Sequence, residues 1–468
     1  MTNTSTDLAM LSATELTRLY ASKEISPVDV AKACLGRISA HDHAVNAFCL
    51  VDEETTLKSA TESESRWARG EPCGQVDGIP TTIKDLQLTK GWPTLRGSKS
   101  TNPDGPWDED SPAVARLKEN GAVLLGKTTT PEFGWKGVTD NPLTGITRNP
   151  WNTGRTPGGS SGGAAVAAAL GMGALHIGTD GGGSIRIPAS FTGIFGHKPS
   201  FGRVPAAPLS PFGTVSHIGP MTRTVADSAL MLNVLAEPDA RDWFSLPYDN
   251  ADYLDGLGDG IKGMKIAYSP TLGYAEVDAD VARAVDEAVQ VFSDLGAHVE
   301  AVDPGFDDPY EIFEAHWYAG AANLLRDFTD EQLAMIDPGL REIAEDGLKY
   351  SLMDYMAAVN ARGQLGQHMR LFHEKWDLLI TPTLATSAFE AGKEIRDGVD
   401  KKRWMEWTPF SIPFNLTQQP ACSVPCGFSD DGMPVGLHIV GPMHDDRMVL
   451  RAAAAFEAVR PFPMPDMP

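Results

Sequence analysis

Polar and apolar positions alternate with helical spacing over the first seventy residues, and turn residues mark where each helix begins. Ser12-Ala13-Thr14-Glu15 places a serine three residues ahead of a glutamate, a capping box that starts a helix. Ser26-Pro27-Val28-Asp29 is a second start, with serine at the cap, proline at the first helical position and an acid in the first turn. Val30, Cys34 and Ile38 then keep one apolar face. Residues 52–69 read as a charged, mostly exposed helix, so residues 1–70 form a helical cover. Beyond them the pattern changes. Thr81 to Ile83 is a β-prone run that ends at Lys84. Ser111-Pro112 opens a helix, Gly121 stops it, and Ala122 to Leu125 is a strand. Ala164 to Ala169 is a run of helix-forming residues with almost no bulk, which predicts a helix packed hard against its neighbours. Ala174 to Thr179 reads as a short buried strand. Thr224-Val225-Ala226-Asp227 opens a helix to about Ala236, and residues 237–263 form a Gly/Asp-rich loop stretch. Strands follow at Met264 to Ser269 and 297–302, around an amphipathic helix at 278–295. Residues 310–376 are largely helical. Asp377 to Pro382, Ala421 to Pro425 and Val435 to Gly441 are strands, and a helix covers about 446–459. This alternation predicts an α/β fold, one sheet flanked by helices, with no repeat or linker dividing it.

Charge narrows the function. The 468 residues carry 39 basic and 62 acidic side chains, a net charge of -23, which argues against phosphate-backbone binding as the main task and so against a nucleic-acid partner. Five cysteines, an odd number, make no disulfide framework. Cys422 and Cys426 stand four apart without a matching Cys/His cluster, so they read as buried small hydrophobes and not as metal ligands. Met1 to Leu11 has no basic region and no long apolar run, and no window approaches a membrane span. The expectation is a cytoplasmic protein.

Two glycine-rich clusters stand out: Gly158-Gly159-Ser160-Ser161-Gly162-Gly163 and Asp180-Gly181-Gly182-Gly183-Ser184-Ile185-Arg186-Ile187-Pro188-Ala189. Three glycines before a serine suit an oxyanion hole, because their N–H groups point inward without steric conflict and a helix N-terminus adds partial positive charge. An arbitrary Gly-Gly-Gly-Ser is more often a surface turn. Two other patterns mislead. Gly121-Ala122-Val123-Leu124-Leu125-Gly126-Lys127-Thr128 satisfies the P-loop expression, but runs helix, glycine, strand where a P-loop runs strand, loop, helix. Gly158-x-Ser160-x-Gly162 satisfies the nucleophile-elbow pattern, but a polar loop, Pro150 to Pro157, precedes it instead of a strand. The elbow also needs a histidine, and neither His217, His438 nor His444 sits in a distinctive setting.

Residues 158–189 resemble the amidase signature family along its whole signature. Gly78-Ile79-Pro80-x-x-x-Lys84-Asp85 is similar to the segment around that family's catalytic lysine. The likeness extends from the first helices to Pro434-Val435-Gly436-Leu437. It implies one large α/β domain over 1–468 with a mixed sheet flanked by helices on both sides. The catalytic core would span 75–230, a variable part 237–400, and strands and a helix returning to the core 401–468. It also implies a Ser184 nucleophile, a bridging Ser160 after a cis peptide bond, and Lys84 as base. A lysine works as base only if its surroundings depress an ordinary pKa near about 10.4, which burial away from carboxylates does. The oxyanion donors would be the N–H groups of Gly181, Gly182, Gly183 and Ser184, with Asp180 and Arg186 in support. No metal or organic cofactor is implied.

Two departures bear on substrate. Position 181, often larger in the family, is glycine, and Ile187 stands where glutamine or arginine occurs in members handling polar or carboxylate substrates. With Phe133, Trp135 and Trp151 as aromatic walls, Ile187 predicts an apolar pocket for small, mostly neutral amides, with carbamates (urethanes) and esters open. The enzyme would act as a monomer or homodimer on a small molecule. The alternative is the A component of an amidotransferase, which releases ammonia from glutamine in a tRNA-dependent complex. Against it stand Ile187 and Thr130-Pro131-Glu132-Phe133-Gly134, where that component tends to carry Met-Asp-Glu-Phe-Ala-Met-Gly.

Overall fold

The computed structural model describes residues 7–467; the first six residues of the N-terminal segment lie outside them. Ser12 and Glu15 close the expected capping box, each accepting from the other's backbone N–H at 3.2 and 2.9 Å, and the helix runs Ala13–Ser22. Pro27–Val45 begins where Ser26 accepts from Val28 N–H. Glu53–Arg69 follows, its cationic last turn complementing the helix dipole.

The strands in chain order are β1 (Phe48–Val51), β2 (Pro80–Lys84), β3 (Val123–Thr128), β4 (Asp140–Asn141), β5 (Gly145–Ile146), β6 (Leu175–Asp180) and β7 (Phe195–Lys198). They continue with β8 (His217–Thr222), β9 (Lys265–Tyr268), β10 (His298–Ala301), β11 (Leu378–Pro382), β12 (Ala421–Phe428) and β13 (Pro434–Val440). β4 and β5 pair with each other; the other eleven form one mixed sheet ordered β1-β3-β2-β6-β8-β7-β12-β13-β11-β9-β10. β2 runs parallel to both β3 and β6, and β9 parallel to both β10 and β11, while the remaining pairs are antiparallel. Helices flank the sheet. Ala279–Asp294 buries Val281, Val285 and Phe292, and the Phe292 ring stacks on Phe456 of Asp446–Val459 at 5.4 Å.

Three strands of the large sheet, β1, β7 and β8, carry no expectation from the pattern. All six residues of β8, His-Ile-Gly-Pro-Met-Thr, are buried. A strand buried on both faces shows no polar–apolar alternation, so the period-two signal is missing. The P-loop look-alike is β3 itself: Lys127 is fully buried and pairs with Asp85 at 3.1 Å.

The alanine-rich run forms a fully buried helix, Gly162–Ala169. A Cβ at Gly163 would lie 2.5 Å from both Ala47 O and Thr129 N, backbone atoms that cannot turn aside. Gly163→Ala is therefore expected to destabilise by about 1–3 kcal/mol although alanine is the better helix former. Gly363 sits in Leu352–Phe372 with open space around its Cβ position, so Gly363→Ala is expected to stabilise by about 0.5–1 kcal/mol. Urea melts of the two variants check the opposite signs.

Candidate active site

Parallel pairing of β2 with β6 sets the site, because neighbouring parallel strands end on the same side. Lys84 is the last residue of β2, and Thr179 and Asp180 are the last of β6. The Lys84 ammonium lies 2.7 Å from Ser160 Oγ, 2.8 Å from Ser161 Oγ and 2.8 Å from Thr179 Oγ1. Among the described residues no carboxylate pairs with it. Lys84 is fully buried, and burial pushes it well below the ordinary lysine range, against a smaller upward pull from Asp180. The peptide bond between Gly159 and Ser160 is cis. Ser161 N–H donates to Ser184 O at 3.1 Å, which ties the first glycine cluster to the second. Ser160 and Ser184 are only 2 and 3% exposed.

Asp180 organises the second cluster. Its carboxylate accepts from Gly183 N–H (2.7 Å), Ile185 N–H (3.2 Å) and Asn415 Nδ2 (2.9 Å). Arg186 adds a two-pronged contact, Nε to Oδ2 and Nη2 to Oδ1, both 2.9 Å. Burial alone raises this carboxyl, but the Arg186 guanidinium and the other donors outweigh it and hold it well below the usual carboxylate range. Arg186 also reaches His438 Nε2 at 3.0 Å, and His217 Nδ1 lies 3.1 Å from Asp180 O. These histidines are bound into the network around Asp180.

The Gly183 N–H corrects the expectation of four oxyanion donors, because the turn after β6 wraps it onto Asp180. The N–H groups of Gly181, Gly182 and Ser184 make no hydrogen bond to another described residue. Glycine at 181 and 182 has a packing reason. A Cβ at 181 would lie 2.9 Å from the Trp317 ring, and one at 182 would lie 2.6 Å from Trp404 and 2.8 Å from Phe313.

Beside the site opens a cavity of about 500 Å³, bordered by Thr179, Leu86, Phe133, His217 and Phe328. Of the expected pocket residues, Phe133 lines it; Ile187 and Trp135 do not. Ile187 is fully buried behind the loops, where its methyl groups lie 2.9 Å from the Cβ positions of Gly158 and Gly183. The Trp135 ring packs 2.6 Å from the Gly339 Cβ position, and Trp151 packs edge-on against Phe428 and Phe462. Ile187 therefore does not set the character of this cavity. Sequence reading missed Ser161, Thr179 and Asn415. Ser161 had a signal, as the second serine of its cluster; Thr179 adjoins Asp180 but nothing local marks it as a partner of Lys84, and Asn415 lies 235 positions from Asp180.

A buried lysine among hydroxyls, linked through Ser161 to a serine whose loop presents the unbonded N–H groups of residues 181, 182 and 184, is an arrangement suited to acyl transfer. Comparison with known proteins agrees with that class. The family described as Amidase matches residues 29–450. An acylamidase of Rhodococcus erythropolis is 38% identical, covering 98% of this chain and 97% of the relative. The A component of the glutamyl-tRNA(Gln) amidotransferase of Carboxydothermus hydrogenoformans is 37% identical over 96% of this chain and 97% of the relative. Among solved structures, a bacterial aryl acylamidase superposes with a TM-score of 0.90 at 33% identity, covering 97% of this chain and 96% of that one. A 6-aminohexanoate cyclic dimer hydrolase superposes at 0.89 and 28% identity, covering 98% and 99%. This chain is an amide-hydrolysing enzyme. It belongs to the Amidase family.

Proposed function

We propose that the enzyme hydrolyses small amides with a largely apolar body through an acyl-enzyme on Ser184, with carbamates (urethanes) and esters as further substrates of the same chemistry. The observation that supports this reading is the Lys84–Ser160 contact of 2.7 Å in a buried site where, among the described residues, no carboxylate pairs with the amine. A serine hydroxyl is a weak nucleophile until a base takes its proton. A neutral amine has two N–H donors and one lone pair. Ser161 accepts from Thr179 N–H and directs its own proton to Thr179 O, both 3.1 Å, so toward Lys84 it acts as acceptor. With Ser161 and Thr179 taking the two N–H groups, the lone pair faces Ser160.

Ser184 attacks the carbonyl as its proton passes to Ser160 and the Ser160 proton to Lys84. The N–H groups of Gly181, Gly182 and Ser184 receive the negative oxygen. The proton returns through Ser160 to the leaving amine, and water then releases the acid. Asp180 and Arg186 hold the turn that presents those donors and exchange no proton with substrate.

The full-length likeness to the amidotransferase A component keeps one other reading in play, ammonia release from glutamine within a complex. The purified chain alone decides between them. It is expected to hydrolyse a p-nitroanilide faster than glutamine, and a serine-directed phosphonate is expected to add to the peptide carrying Ser184. Label on Ser160 instead, or glutaminase activity that needs a partner, would overturn the proposal.

A further inference from the structure

Two charged side chains line the cavity beside the triad, Asp242 and Arg96. Asp242 is committed to the fold: its carboxylate accepts from Ala206 N–H at 2.9 Å and Phe244 N–H at 2.8 Å. Arg96 is not. Among the described residues its guanidinium forms no ion pair and donates no hydrogen bond, although it is partly buried. The acid that acts on it electrostatically, Asp85, is paired with Lys127 at 3.1 Å and accepts from Gly97 N–H at 3.4 Å. An arginine carries five N–H donors and keeps its charge, so a guanidinium facing a cavity without an acceptor awaits one.

The segment carrying Arg96 is held in place for this. Arg96 has a left-handed backbone, φ 56°, and so does Phe133, φ 52°. Phe133 N–H donates to Arg96 O at 2.8 Å, locking the two together at the cavity wall. Non-glycine residues persist in that conformation only where their surroundings over-determine it, and such positions cluster at ligand clamps. Gly134 then joins this wall to the reacting groups: a Cβ there would lie 3.4 Å from Ser160 Oγ and 2.8 Å from Leu86 Cδ1. In the proposed mechanism Ser160 hands its proton to the leaving amine. The amine half of the substrate therefore lies on the side of Leu86, Phe133 and Arg96.

We propose that Arg96 binds a carboxylate carried on the leaving-amine half of the substrate, so that the preferred substrates are N-acyl amino acids with a largely apolar frame. The planar guanidinium fork suits a carboxylate better than a single carbonyl oxygen. Water cleaves the amide bond, and the products are a carboxylic acid and an amino acid whose carboxylate stays on Arg96 until release. This inference rests on the hydrolase reading for its orientation but is measurable without turnover.

Matched arylamides test it: 4-acetamidobenzoate against 4-acetamidotoluene, with the meta pair alongside and 4-acetamidoacetophenone as the neutral carbonyl. Two ratios are read, kcat/KM with the wild type and Kd with Ser184→Ala. Both are expected to favour the carboxylate over the methyl compound by roughly ten- to hundredfold, with the ketone between. In Arg96→Met the ratio is expected to fall to about one-tenth of its wild-type value or less, and in Arg96→Lys to fall only partway, because a point charge keeps attraction without the fork. Because ratios are compared, a loss common to all substrates cancels. Wild-type ratios near one in both the para and meta pairs would overturn the proposal, as would an unchanged ratio in Arg96→Met. Carboxylate-selective binding to Ser184→Ala with no turnover of any amide by the wild type would support the Arg96 site and sink the hydrolase reading instead.

Discussion

Replacing Lys84 by alanine is expected to lower kcat/KM by about 10²–10⁴-fold, a loss of about 3–5 kcal/mol of transition-state stabilisation, because the proposed general base is gone. Lys84→Met keeps much of the side-chain volume and is expected to lose as much, which separates the missing amine from a packing defect. The pH dependence carries the sign. Only unprotonated Lys84 accepts a proton, so wild-type kcat/KM should rise with pH as the ammonium loses its proton. Burial lowers this amine's pKa, so the rise should have its midpoint below the ordinary lysine value of about 10.4. The rising limb should vanish in Lys84→Met. Near-normal turnover by a folded Lys84 variant, or an unchanged limb, would remove lysine from the mechanism.

Asp180→Asn is expected to destabilise the fold by about 3–5 kcal/mol, because it leaves the fully buried Arg186 without its counter-charge. The change is isosteric, so the loss reports charge and hydrogen bonding and not volume. The amide Nδ2 also cannot accept: at the Oδ1 position it breaks the contacts with Gly183 N–H and Arg186 Nη2, at the Oδ2 position those with Ile185 N–H and Arg186 Nε. Removing both charges should cost less than removing one: Asp180→Asn with Arg186→Met is expected to recover part of the stability lost in Asp180→Asn alone. Denaturant midpoints of the two single variants and the double variant check this. A loss under about 1 kcal/mol in Asp180→Asn would mean that the pair is not the keystone of the turn, since that is the range of an exposed ion pair. Activity should fall in step with the loosening of the turn, since the Gly183 N–H is anchored on the same carboxylate.

The chain's own pattern determined much of this protein. Local chemistry decided the Ser12 and Ser26 caps, the buried helix of small residues and the strands that end at Lys84 and Asp180, because caps, periodicity and bulk act over a few residues. The two glycine clusters were legible as backbone-donor loops, which require residue types at fixed spacing, whereas the lysine segment was legible only through its resemblance to the amidase signature family. Tertiary structure alone decided the rest. Ser161 and Thr179 meet Lys84 across 77 and 95 positions, and Asn415 reaches Asp180 across 235, through pairing that no local pattern encodes. The depressed Lys84 pKa arises from burial beneath segments far apart in the chain. Ile187 shows the limit from the other side. One residue after Arg186, it was expected to face the substrate, but the short helix Arg186–Thr192 turns it into the packing behind the loops. Arg96 carried no signal at all: only the fold places this loop arginine at a cavity with no ion pair or hydrogen bond to its guanidinium among the described residues.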